Sequence, residues 1–169
     1  MTNSDGVDAA WRIHQAQTDW TGKVDAKASF IFAIASASMA TAVALSVNGR
    51  VFHDISHTWL KIGYWLGLAC LLCGVLLASL VVVPRLRRST ALKNESKNNF
   101  IYFGHLRHWT PEELEVALKQ NDILSVLSRQ LVIMAGIAWK KHRWAQWALR
   151  FTLLGAGIEL FTAWCLVQL

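Results

Sequence analysis

The feature that most constrains this chain is Ile62 to Val83, IGYWLGLACLLCGVLLASLVVV, which holds 22 residues and no charged side chain. At 1.5 Å rise per residue, a helix of that length crosses the roughly 30 Å hydrocarbon core of a bilayer. Pro84 closes the run, and Arg85, Arg87 and Arg88 follow at once. A long apolar stretch ended by arginines predicts a membrane span with its cytoplasmic end marked. Composition agrees: 54% of the 169 residues are hydrophobic and only 17% are charged, which is too apolar for an ordinary soluble domain.

Two further stretches meet the same criterion. Ala28 to Val47, ASFIFAIASASMATAVALSV, is uncharged but rich in Ala, Ser and Thr. Small side chains let membrane helices approach closely where lipid supplies no hydrophobic drive. Ala33, Ala37 and Ala40, with Ser36 and Ala44, fall at four-residue spacings and are read as a packing face, against the plainer reading of a span that tolerates small residues. Gly63 and Gly67 form a G-x-x-x-G near the start of the central span and suit close helix contact. Phe151 to Leu169 is the third span, with Glu159 near its middle. A carboxylate at that depth costs several kcal/mol unless it is protonated, paired or facing water. Two readings stand for Glu159: a polar contact between protomers or in an opened pore, or a protonated acid bonded to Ser or Thr of the first span.

Charge sets the expected topology. Of 17 Lys and Arg, 12 lie between Arg85 and Arg150, and net charge is +6. The positive-inside rule then puts that segment and the N-terminus in the cytoplasm. The fold class expected is an all-α membrane protein, with three transmembrane helices and a helical basic cytoplasmic segment between spans two and three. Its layout is a cytoplasmic N-terminal helix over 1–27, spans over 28–47, 62–84 and 147–169, an external connector over 48–61 and the basic segment over 85–146. Charges scattered through the first 27 residues leave no apolar core for a signal peptide, so the spans themselves are expected to hold the chain in the membrane.

Cysteine and histidine offer little chemistry. Cys70 and Cys73 form a C-x-x-C inside the apolar run, where nothing stabilises a thiolate, and no disulfide is expected. His53 and His57 are four apart, but no third ligand is close, so no metal site is expected. No Walker, G-x-S-x-G or H-E-x-x-H pattern occurs, and no catalytic residue is assigned. Topology accounts for much of the basic excess, which argues against nucleic acid.

The basic segment carries the candidate ligand surface. Asn98 to His108, NNFIYFGHLRH, is aromatic, polar and basic together. Phe100 to Phe103 suits a short strand or an extended loop, with Gly104 breaking the pattern. Thr110-Pro111-Glu112-Glu113 opens a helix: Thr110 caps, Pro111 fits the first turn and Glu113 completes a capping box. No breaker occurs between Asp122 and Arg150, so a second helix can run into the last span. An anionic nucleotide needs cations for phosphate, a flat group to stack its base and amides for the base edge. Arg107 and Arg129 suit the first need, Tyr102 or Phe103 the second, and Asn98 and Asn99 the third, with His105 between them. On residues alone, a basic surface that meets anionic headgroups is the plainer reading.

Three stretches together resemble a known family. They are DAKASFIFAIASASMATAV (25–43), NNFIYFGHLRHWTPEELEVAL (98–118) and DILSVLSRQLVIMAGIAWKKHRWAQWALR (122–150). The chain resembles the transmembrane Pycsar effectors of bacterial anti-phage defence over nearly its whole length. The resemblance implies a partner pyrimidine nucleotide cyclase that makes cyclic UMP or cyclic CMP during infection. It implies an effector of the bacterial inner membrane that senses this messenger and damages the membrane, causing abortive infection; the small-residue faces would let copies assemble as a homo-oligomer. The cyclic nucleotide would be an activating ligand and not a cofactor. Some Pycsar proteins carry a β-roll nucleotide-binding domain, and this chain has neither its strands nor its phosphate cassette, so no binding residue is carried over. A channel subunit without a nucleotide ligand and a passive membrane anchor or assembly protein are the alternatives.

Overall fold

The computed structural model describes residues 3–47, 49–84 and 89–168, so the topology markers Arg85, Arg87 and Arg88 lie outside it, as does Asn48. Every regular element described is helical. In order these are α1 (Asn3–Ala44), α2 (Thr58–Val82), α3 (Ser89–Glu95), a 3-10 turn (Ser96–Asn98), α4 (Phe103–Leu106), α5 (Pro111–Gln120) and α6 (Ile123–Gln168). Three of them, α1, α2 and α6, are long and apolar enough to cross a membrane. The protein is therefore an all-helical membrane protein with a short-helix segment between its second and third long helices.

The N-terminal helix and the first span are one 42-residue helix. Gly22 sits inside it, and the roughly 1 kcal/mol that glycine costs a helix is absorbed by the length on either side. After α1 the chain turns at Gly49, whose φ of 74° is the left-handed conformation that glycine tolerates. Helix α2 begins four residues ahead of the uncharged run, taking in Trp59 and Lys61. It stops before Pro84 because the residue preceding a proline is driven to extended backbone, and Val83 has φ −62° and ψ 123°. Phe100 to Phe103 forms no strand: a bend at Ile101 and Tyr102 leads into the single turn α4. Gly104 belongs to that turn and does not break it. A Cβ there would collide with the Tyr102 ring.

The chain forms two compact units, one from residues 1–21 and 84–139, the other from 22–83 and 140–169. In the second unit α2 and the end of α6 pack through glycine. A Cβ on Gly63 would meet Thr162 Oγ1 at 2.8 Å, one on Gly67 would meet Glu159, and one on Gly74 would meet Thr152 Oγ1 at 2.5 Å. Numbers rise on α2 as they fall on α6, so the two helices are antiparallel. Their backbones touch at Gly155, where a Cβ would lie 2.8 Å from both Gly67 O and Leu71 N. Lipid tails do not drive apolar surfaces together, so such close packing is what holds membrane helices to one another.

The α1 part of this unit presents Ala28, Ala35 and Ala42 as its buried stripe, one residue every two turns. Ala33, Ala37 and Ala40 lie on the exposed side of the same helix. With alanine at so many positions, spacing alone does not say which face packs. Near the connector, Ala42, Phe52, Ile55, Leu60, Tyr64 and Cys165 form one apolar cluster. At the other end Val24, Ala28, Val81 and Ala145 form a second. These clusters run α1 parallel to α6. Phe30, Trp65, Leu153 and Leu160 point outward at 65–73% exposure, so the outside of the unit is apolar, as a surface facing lipid must be.

Candidate functional site

Two places bring polar chemistry together, and each lies within one unit. The first is Glu159. Its side chain is 7% exposed, and neither carboxylate oxygen has a hydrogen-bond partner among the described residues. The Leu68 backbone acts on the carboxylate without meeting the geometry of a full hydrogen bond. Gly67 makes the seat: a Cβ there would stand 2.6 Å from Oε1 and 2.9 Å from Cδ. Glu159 also lines a groove of about 400 Å³ between α1 and α6, walled by residues that include Ile34, Ala37, Thr41, Phe52 and Leu160. Thr41 gives its hydroxyl proton to the Ala37 carbonyl at 2.9 Å and not to the acid. Of the assembly residues read from the sequence, Gly63, Gly67 and Glu159 meet at the α2–α6 contact, and Ala37 reaches the groove wall. Ala33 and Ala40 do not line it.

At the far end of the same unit, Lys141 Nζ donates to Asp25 Oδ1 and Oδ2, both at 2.7 Å. Further along the same helix, the Arg150 guanidinium sits 4.9 Å from the centroid of the Trp147 ring. Sequence reading missed the Asp25–Lys141 pair because the two residues are 116 apart.

The second place is a polar knot over residues 89–110 of the other unit. Trp109 staples it, its Nε1 donating to Ser96 O at 3.0 Å and Asn99 O at 3.2 Å. Its ring stands edge-on to Phe100, with centroids 6.0 Å apart. Asn99 Nδ2 donates to Glu95 O at 2.8 Å, so part of that amide is already engaged. His105 is buried, with Nε2 3.5 Å from Glu95 Oε2. The two side chains are close without hydrogen-bond alignment, and neither ring nitrogen has a hydrogen-bond partner among the described residues. Tyr102 packs on Phe103 with ring centroids 4.5 Å apart, leaving Phe103 64% exposed. Asn98 is exposed at the end of the 3-10 turn.

Arg107 reaches from α4 to Ser89 Oγ at 3.2 Å. A guanidinium has five N–H donors, so this contact leaves most of its capacity for an anion. Partial burial of the ring, then Arg107, Lys93 and His105, hold the His108 imidazolium below the usual histidine range. Lys93 and Arg107 thus both lie close enough to act on His108. Lys93 does not stand out in the sequence, and His108 closes the stretch read as the ligand surface without being given a role there. Arg129 lies exposed on α6, and no hydrogen bond or ion pair ties it to the knot among the described residues.

The Pycsar effector protein domain, PycTM, matches residues 9–168. The chain belongs to that family. The match takes in both units, so the knot and the glycine-packed helices are parts of one effector domain. No curated protein and no solved structure matches this effector. It is a Pycsar anti-phage effector carrying three helices able to cross a membrane.

Proposed function

We propose that this effector is activated by a cyclic pyrimidine mononucleotide, cyclic UMP or cyclic CMP, supplied by a partner cyclase. Binding drives it to impair the inner membrane as a homo-oligomer, ending infection by death of the cell. It performs no chemistry of its own.

The observation that carries the ligand part is the pairing of an exposed Phe103 ring with Arg107 one turn later, whose backbone N–H donates to Phe103 O at 3.2 Å and whose guanidinium reaches Ser89 Oγ, with Lys93 among the charges that act on His108. A cyclic phosphate carries one negative charge, and the knot offers it cations and free guanidinium donors. A pyrimidine has a flat face for Phe103 or Tyr102, and Asn98 is free to meet its edge. Asn99 and His105 are given the role of holding the knot in shape, and Arg129 that of a further cation. The membrane part is supported by the outward apolar faces of the second unit, and the cytoplasmic N-terminus by the positive-inside bias. The exposed Ala33 and Ala40, which do not line the groove at Glu159, are offered as surface for a second copy. Helices α1 and α6 carry residues in both units without a break, which gives the signal a covalent route.

Titration of the purified full chain in detergent tests the ligand part. Cyclic UMP or cyclic CMP is expected to bind saturably and more tightly than cyclic AMP. A hydrogen bond to a charged group is worth roughly 1.5–3 kcal/mol, so Arg107→Ala should weaken binding about tenfold or more. Lys119→Ala, on α5, should leave it unchanged. Equal binding of all three nucleotides, or no effect of Arg107→Ala, would remove the assignment.

A further inference from the structure

We infer that the groove holding Glu159 is a binding site for a lipophilic amine, whose ammonium head is received by the Glu159 carboxylate. The size is right: about 400 Å³ falls within the roughly 300–1,000 Å³ of pockets that hold small molecules. Its walls are apolar, and Glu159 is the one ionisable side chain among the described residues that line it. The Thr41 proton is spent on the Ala37 carbonyl, so that hydroxyl offers only an acceptor to an occupant. Ser38 also lines the groove, but no hydroxyl is hydrogen-bonded to the acid. What is missing is a donor in hydrogen-bond geometry, and preferably a positive one, because a buried carboxylate is costly until paired.

An ammonium supplies charge and donors at once, and a hydrocarbon tail fills the apolar walls. An alcohol of equal length supplies a donor without the charge. An anion would be repelled. The carboxylate is held in place by the seat at Gly67, and Ile34, Ala37 and Thr41 of the opposite wall are exposed, so the groove opens sideways, toward lipid in a bilayer.

The test uses the full chain in phosphatidylcholine nanodiscs and the hydrophobic reagent dicyclohexylcarbodiimide. The O–H of a protonated carboxyl adds across one C=N bond of the reagent, the oxygen going to carbon and the hydrogen to nitrogen. The O-acylisourea rearranges to a stable N-acylurea with no atom lost, and mass spectrometry locates it. The competitor is N,N-dimethyldodecylamine, which donates one N–H when protonated and cannot form an amide. Glu159 is expected to be labelled, with labelling slowed about tenfold or more by the amine and less than about twofold by dodecanol. Ala37→Phe, which fills the groove without touching the acid's seat, should slow labelling by the reagent itself and leave no further slowing by amine. No labelling at Glu159, no slowing by amine, equal slowing by amine and alcohol, or undiminished protection in Ala37→Phe overturns the inference. No nucleotide enters the assay, so its result is independent of how the effector is activated.

Discussion

The Glu159 carboxylate of α6 occupies the space that a side chain on Gly67 of α2 would fill, with a Cβ at Gly67 only 2.6 Å from Oε1. Gly67→Ala must therefore displace the acid. Overpacking of this kind costs about 1–3 kcal/mol. Gly155→Ala should be worse, because its Cβ would meet the backbone of Gly67 and Leu71, which cannot swing aside. Gly157→Ala meets nothing within 4 Å and should be neutral, or stabilising by up to about 1 kcal/mol through helix propensity. Thermal unfolding in detergent is expected to rank the variants Gly155→Ala, Gly67→Ala, wild type and Gly157→Ala in ascending order.

The Asp25–Lys141 pair ties α1 to α6 through two 2.7 Å hydrogen bonds. The side chains are 34% and 22% exposed, so solvent screens part of the attraction. A double-mutant cycle with Asp25→Asn and Lys141→Met should return a coupling of about 1 kcal/mol, the upper range for screened pairs. Exchanging the two residues should recover part of the stability lost in either single variant. The measurement is again the thermal midpoint.

How much of this was legible beforehand differs by element. Helix α2 was plain because an uncharged run of that length has few other fates. The Thr110 capping box was legible because it is local, and both of its bonds form: Glu113 N to Thr110 Oγ1 at 3.2 Å, and Thr110 N to Glu113 Oε2 at 3.1 Å. The buried stripe of α1 was not, since Ala28, Ala35 and Ala42 compete with other alanines at equally regular spacings. Nor was the meeting of Gly67 with Glu159, because the register between two helices is written in neither alone. In the proposed ligand surface, the aromatic stretch was legible by composition. The approach of Lys93 to His108 follows from the fold of the knot, which Trp109 fixes through two backbone carbonyls.

His108 makes the knot sensitive to acid. Its imidazolium is held below the usual range by partial burial and by Arg107, Lys93 and His105. The unfolded chain, with an ordinary value of about 6.5, takes up the proton first as pH falls. The stability that the neutral ring contributes is present above that value and is lost as pH drops through the lower folded one. Amide protection factors over residues 89–110, with the intrinsic exchange rate at each pH divided out, should fall on acidification below about pH 6. His108→Gln should flatten this dependence, and a bound anion, by offsetting the neighbouring positive charge, should oppose it.

Release of a dye from sealed liposomes that carry the full-length effector is the most direct measurement of nucleotide-driven membrane damage. Adding cyclic UMP or cyclic CMP should start release, cyclic AMP should not, and Arg107→Ala should need about tenfold more nucleotide for the same rate. Release at one rate with and without pyrimidine nucleotide, or none under any nucleotide, would contradict the account.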